Sequence, residues 1–318
     1  MARPLRIEYE DAVYHVTARG NDRKKVYFCK TDYPKFLEYI AKAKKKYGIL
    51  LHCYVLMSNH YHLIIETPDA NLSKALHHIN GSYTSYINNK RKRSGHLFQG
   101  RYKAIVVSKD SYLSELSRYI HLNPVRAGIV QSPEEYPYSS YKAYISKEKD
   151  NLLNQELVLG LLCGNEMQAK RKYRKFVDSA IGAEPDSPFE NVYGGIILGA
   201  NKFIKDTLSR IKEEYLQREE ISNRKLLQSR HDVEEVIEAV ARYFKAGREY
   251  LINNRNRRCR KIAIYLLKKH TGVTNREIGE IFGGLSYSAV SRGNERFQTQ
   301  LQKDRKLKKE IKKIESKM

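Results

Sequence analysis

Leu50-Leu51-His52-Cys53-Tyr54-Val55-Leu56-Met57 and, after only Ser58-Asn59, His60-Tyr61-His62-Leu63-Ile64-Ile65-Glu66 decide the fold. Both runs are apolar, rich in β-branched and aromatic residues, and short. They predict two antiparallel strands joined by a tight turn. Residues i and i+2 of a strand point to the same side of a sheet, so the register places the imidazoles of His60 and His62 on one face. Tyr61 then points to the opposite face, where its ring can pack into the core.

Upstream, Val13-Tyr14-His15-Val16-Thr17-Ala18 reads as a first strand before the Gly20-Asn21-Asp22 turn. A helix follows, capped near Thr31 and Asp32, carrying Phe36, Leu37, Ile40 and Ala43 at helical spacing and stopping at Gly48. Downstream, Leu72, Leu76, Ile79, Tyr83 and Tyr86 mark a second helix that runs into the basic stretch Lys90-Arg91-Lys92-Arg93. Arg101 to Val107 predicts another strand. Ser111 to His121 predicts a third helix, closed by Asn123-Pro124. The order β-α-β-β-α-β-α predicts an α+β fold, a ferredoxin-like antiparallel sheet with helices on one face.

The rest of the sequence reads as helical. Val233, Val236, Ile237, Val240 and Phe244 form one amphipathic face, and Ile262, Ala263, Tyr265, Leu266 and Leu267 another. The expected organisation is a first domain over residues 1–145, a helical connecting region over 146–228 with a linker near 183–188, an all-α domain over 229–302, and a basic tail over 303–318. The linker rests on Ala183-Glu184-Pro185-Asp186-Ser187-Pro188, which has two prolines and no apolar period.

Fifty-nine lysines and arginines against 36 acidic residues give a net charge of +23, which points to a polyanionic partner held through its phosphates. No apolar run is long enough for a membrane span, and the N-terminus lacks the apolar core of a secretory signal, so a cytoplasmic, nucleoid-associated protein is expected. The four cysteines form no C-x-x-C pair, which argues against a zinc knuckle and for reduced packing residues.

Beyond the histidine pair, Tyr119 and Asn123 are an i, i+4 pair, so one helical face carries a phenol and, a turn later, an amide oxygen. Imidazole mixed with oxygen ligands suits Mg²⁺ or Mn²⁺ rather than a closed zinc site. Such an ion could polarise a scissile phosphate while a tyrosine oxygen attacks it. With 24 tyrosines in the chain, Tyr112, Tyr83 and Tyr86 stand beside Tyr119 as candidates.

Three ordered stretches, Tyr54 to Ile65, Leu97-Phe98-Gln99-Gly100-Arg101-Tyr102-Lys103, and Tyr119-Ile120-His121-Leu122-Asn123-Pro124-Val125-Arg126-Ala127-Gly128, together resemble the single-tyrosine HUH transposases. The branch associated with repetitive extragenic palindromes is the most similar. The resemblance implies a ferredoxin-like nuclease acting on single-stranded or hairpin DNA. In this sequence His60, His62 and Asn123 would be the metal ligands and Tyr119 the nucleophile. Tyr61 is larger and more polar than the residue the family often places between its histidines. Arg101, Lys103 and Arg126, with Lys90 to Arg93, are candidates for a phosphate path, and Phe98 and Tyr102 for base stacking or core.

Residues from about Asp232 to Leu301 resemble the DNA-binding domain of the replication initiator DnaA, through Arg257-Arg258-Cys259-Arg260-Lys261-Ile262-Ala263-Ile264-Tyr265-Leu266 and Ile278-Gly279-Glu280-Ile281-Phe282-Gly283-Gly284. Thr274 and Glu277 form a capping-box pattern, Gly283-Gly284 permits a turn, and Ser286 can cap a second helix. That helix would offer Tyr287, Ser288, Ser291 and Arg292, with Ser286, to duplex DNA. Leu285 to Val290 departs from the initiator pattern, so a different target sequence is expected. The arginines at 255, 257, 258 and 260 favour DNA over a purely protein interface. The rival to an enzyme is a non-catalytic regulator that works through this helix-turn-helix, and an RNA substrate is a third reading.

Overall fold

The predicted hairpin forms one edge of a five-stranded sheet. The structure, a computed structural model, describes residues 6–147, 150–182, 188–189, 192–211, 231–253, 257–271 and 273–318. Strands β2 (Leu50–Met57) and β3 (His60–Thr67) pair antiparallel, with Met57 opposite His60. Strand β1 (Ala12–Arg19) lies beside β3, and β4 (Lys103–Val107) beside β1, both antiparallel. The short β5 (Ile197–Leu198) adds parallel to β4, giving the order β2-β3-β1-β4-β5.

Helices α1 (Asp32–Tyr47), α2 (Leu72–Lys90) and α3 (Ser111–Arg126) fall where the apolar spacing put them. Gly48 ends α1 in the left-handed region at φ 67°, returning its N–H to the Lys44 carbonyl. The alternation along β3 then sorts the helices between the two faces. Tyr61 is fully buried on the face covered by α1 and α2. Its ring lies 5.0 Å from that of Phe36, and its hydroxyl donates to Asn80 Oδ1 at 2.9 Å. The size and polarity of Tyr61 are thereby accommodated.

The expectation of helices on one face holds for α1 and α2 only. The other face, with Val13, Cys53, Val55, Met57, Ile64 and Val107, is covered by Leu113, Leu116 and Ile120 of α3. The same core includes Tyr141 and Tyr144 of α4 (Tyr141–Ile145), Val158 and Leu159 of α5 (Glu156–Gly160), and Ala169, Tyr173 and Val177 of α6 (Glu166–Asp178). The described residues between 146 and 211 are therefore not a connecting region, and 212–228 of the expected one lie outside the described residues. The former complete the second helical layer, and β5 and α7 (Asn201–Ser209) follow in the same unit, which ends at Ile211. Five of the six positions of the expected linker, 183–187, lie outside the described residues.

Pro124 does not end α3, which continues to Arg126. Its ring removes one N–H, but the final turn closes through Ala127 N–H to Asn123 O and Ile129 N–H to Pro124 O, at 3.0 Å each.

The second unit contains α8 (Val233–Tyr243), α9 (Arg248–Asn253), α10 (Arg257–His270), α11 (Asn275–Ile281), α12 (Tyr287–Lys303) and α13 (Arg305–Glu315). The capping boxes at Asp232/Glu235 and Thr274/Glu277 are both formed, and Ser286 Oγ accepts from Ala289 N–H at 3.2 Å. Gly283 and Gly284 make the turn at φ 77° and 82°. The expected basic tail is in fact α13, whose Leu307, Ile311 and Ile314 are buried in the core of this unit. Its spacing of 3 and 4 is helical, a pattern hidden in the sequence by the lysines between.

Cys53 and Cys259 are buried, as expected of packing residues. Cys29 is exposed, beside Thr31 Oγ1 at 3.2 Å and Lys90 Nζ at 3.3 Å. Among the described residues, no helix is long and apolar enough to cross a membrane.

Candidate active site

The site is built at the start of β3, where α3 crosses the second face. His60 and His62 stand side by side with ring centroids 5.1 Å apart, as the i, i+2 register requires. Asn123, from α3, brings its side chain up to His60. One turn earlier on the same helix, the Tyr119 ring meets His62 edge to face at 6.1 Å. The four residues singled out from the sequence therefore converge. The rival tyrosines do not: Tyr83 is fully buried in the opposite layer, donating to Val26 O at 2.9 Å, and Tyr86 on the same helix is engaged with Lys90. Tyr112 is half-buried against the α3 core.

Both imidazoles have their Nδ1 atoms occupied. His60 Nδ1 is 2.7 Å from Asn59 Oδ1, an acceptor only, so this nitrogen carries the proton and Nε2 keeps a lone pair. His62 Nδ1 is 2.9 Å from Nε2 of His15 on β1. Burial holds both rings below the ordinary histidine range, and His62 is pushed further by His15 and His60. His15, fully enclosed, is driven down to about 3 by burial alone. Neutral rings are what metal coordination requires.

The donor set fits a hard divalent ion held with help from a phosphate. It offers two imidazoles and one amide oxygen, and among the described residues no group of three His, Cys, Asp or Glu is placed to enclose a metal.

The longer α3 has a consequence for Tyr119. Arg126, seven residues on and on the same helical face, sets its guanidinium 4.9 Å from the Tyr119 ring centroid. Phe189 packs its ring edge to face on Tyr119 at 5.1 Å and stacks on His15 at 5.0 Å. Sequence reasoning missed His15, Asn59 and Phe189 as members of the site. For His15 a signal existed: an imidazole at an inward position of an apolar strand. For Phe189, far along the chain, there was none.

Lys103 is exposed and lies in one cross-strand row with Thr17 and His62, hence on the histidine face. Arg101 is exposed just before it. Other expected contacts are used internally. Phe98 is buried against Tyr61, Tyr102 is half-buried beneath Arg6, and Lys90 is bound to Asp32 at 2.7 Å. Phe98 is thus a core aromatic, and Lys90 is a structural cation.

In the second unit the exposed start of α12 presents Ser286, Tyr287, Ser288 and Arg292, with Ser291 half-buried. Tyr287 is 65% exposed, unusual for so large an aromatic. Arg258 pairs with Glu310 at 2.6 Å and Arg260 donates to the Phe282 carbonyl, so these arginines tie the unit together. Arg255 lies outside the described residues, as does the side chain of Arg257.

Residues 8–123 match the family model of IS200-like transposases, and residues 233–296 match that of the bacterial DnaA helix-turn-helix. A Haemophilus influenzae protein described as a candidate REP-associated tyrosine transposase is 24% identical over 148 residues, covering 43% of this chain and 83% of the relative. A solved REP-associated tyrosine transposase bound to a REP hairpin is 18% identical with a TM-score of 0.42, covering 48% of this chain and 94% of that one. Residues 8–123 are thus similar to IS200-like transposases, and residues 233–296 to the bacterial DnaA helix-turn-helix.

Proposed function

We propose that this chain is a metal-dependent single-strand DNA endonuclease and strand transferase of the HUH type, acting on hairpin or palindromic DNA through a covalent bond to Tyr119. The carrying observation is the convergence of His60, His62, Asn123 and Tyr119 at one end of β3. The name of the relative, a REP-associated tyrosine transposase, is in keeping with DNA as substrate.

His60, His62 and Asn123 would hold Mg²⁺ or Mn²⁺, which supplies Lewis-acid stabilisation of charge on the phosphate oxygens. Tyr119 then forms its O–P bond as the P–O bond to the departing nucleotide breaks. The phenolic proton is lost, the departing oxygen gains one, and a DNA hydroxyl is released. One phosphodiester replaces another, so the reverse attack by the same or a different hydroxyl rejoins the strand without an external energy source. Arg126, above the Tyr119 ring, supplies positive charge where the phosphate must approach. Arg101 and Lys103 would hold the flanking backbone. The exposed start of α12, with Ser286, Tyr287, Ser288, Ser291 and Arg292, would bind duplex DNA.

The test is incubation of the full chain with end-labelled hairpin DNA and Mn²⁺, followed by denaturing electrophoresis. A labelled protein band that chelator abolishes and Tyr119→Phe lacks is the expected result. An equal band from Tyr119→Phe removes that residue from its role, and no band across varied hairpins leaves a non-catalytic DNA-binding regulator. The same hairpin in ribose form distinguishes an RNA substrate.

A further inference from the structure

We infer that His15 is a positioning residue for the metal site: it accepts a hydrogen bond from His62 Nδ1–H and so turns the His62 Nε2 lone pair toward the space shared with His60 and Asn123. The inference rests on the metal-dependent reading above and extends it to a residue on a different strand.

The contact has the form of a hydrogen bond rather than a packing accident. His15 Nε2 and His62 Nδ1 are 2.9 Å apart, and the rings are nearly parallel, 14° apart with centroids at 5.1 Å. That is the edge-to-edge arrangement of two imidazoles sharing one proton. Two arrangements satisfy it. If His15 donates, His62 carries its own proton on Nε2 and cannot ligate. If His62 donates, its Nε2 is bare. Only the second matches His60, whose Nδ1–H is already fixed by Asn59 Oδ1. Both candidate ligands would then have Nδ1 anchored and Nε2 available, the pattern by which outer hydrogen bonds set the tautomer of metal-binding histidines.

His15 has no competing role to explain its presence. It is 3% exposed, its cross-strand neighbours are Ile64 and Ile105, and its Nδ1 finds no hydrogen-bond partner among the described residues. A polar ring buried with one nitrogen unpaired is costly, and an apolar residue at this position would avoid that cost. Phe189 stacks on the ring at 5.0 Å and fixes its plane.

The test uses the full chain, the variants His15→Leu, His15→Gln and His60→Ala, and two readouts. Mn²⁺ affinity is measured by electron paramagnetic resonance of the free ion. The protonated nitrogen of His62 is identified by ¹⁵N imidazole shifts with diamagnetic Mg²⁺. His15→Leu is expected to weaken Mn²⁺ binding about 10–100-fold and to lose the Nδ1–H tautomer of His62. His15→Gln, whose amide oxygen can accept the same bond, restores most of the affinity. Thermal unfolding and hairpin binding in chelator report whether each variant is folded. Unchanged Mn²⁺ affinity in His15→Leu overturns the inference alone, as does a folded His15→Gln no better than His15→Leu. Wild-type protein with no Mn²⁺ uptake that His60→Ala removes overturns the metal reading and this inference together.

Discussion

His121 offers a prediction whose size follows from its surroundings. It projects from α3 into the second-face core, fully buried, with Nδ1 at 2.6 Å from the Tyr173 hydroxyl and Nε2 at 2.7 Å from Ser140 Oγ. One nitrogen donates and the other accepts, so the neutral ring is satisfied. Burial drives its pKa down to about 3 from the usual 6.5. Between those values the unfolded chain binds a proton that the folded chain refuses. The contribution of His121 to stability is therefore complete above pH 6.5 and is lost progressively as pH falls toward 3. Going from pH 7 to pH 5 spans about 1.5 units of that window, or about 2 kcal/mol at about 1.4 kcal/mol per unit. Urea unfolding of the full chain at both pH values, followed by near-ultraviolet tyrosine signals, measures the loss. In His121→Gln, which keeps a donor and an acceptor but does not titrate, the pH 7 to 5 loss should shrink by about 2 kcal/mol. An equal loss in the variant would refute the assignment of a neutral buried imidazole.

A Cβ on Gly279 would sit 2.1 Å from the backbone oxygen of Leu285, so Gly279→Ala should force the helices of the helix-turn-helix apart at a cost of about 1–3 kcal/mol, seen as loss of duplex binding with hairpin cleavage retained. Ile311→Ala should destabilise the second unit by about 2–5 kcal/mol, measured by thermal unfolding, because α13 is part of its core; a free tail would show no change. Arg292 is exposed on α12, and Arg292→Ala should weaken duplex binding by about 1–3 kcal/mol at a preferred base position, with no effect on a hairpin lacking a duplex flank.

The site was legible where chemistry and period coincide. His60 and His62 at i, i+2 and Tyr119 and Asn123 at i, i+4 each fix a face from local geometry alone, and the folded chain needs only to bring the two faces together. The strand and helix order was legible for the same reason. What escaped reading was non-local. The direction from which α3 approaches depends on Tyr173, Tyr144 and Tyr141, more than fifty positions from β3, packing with it on the sheet. Pro124 was read as a stop because its local effect on the backbone is unfavourable, yet the helix needs only one further turn, whose remaining N–H groups find carbonyls. The apolar stripe of α13 was obscured by a charge run, since the eye weighs composition before spacing.

The two faces of the sheet carry different loads. On the Tyr61 face, Phe36, Tyr83 and Tyr27 pack ring against ring, and the Tyr61 and Tyr83 hydroxyls donate to Asn80 Oδ1 and the Val26 carbonyl. On the other face the apolar core under α3 gives way, at the start of β3, to three imidazoles, an amide and a phenol within a few ångströms. Those groups have little intrinsic tendency to assemble, and burial of His15 and His62 is unfavourable to their charged forms. The arrangement persists because the apolar remainder of the same face, from Val13 and Ile64 to Leu116 and Ile120, fixes α3 against β3. Loosening that core by a large-to-small change at Ile120 would therefore reach Tyr119 and Asn123 through the helix itself, without touching either side chain.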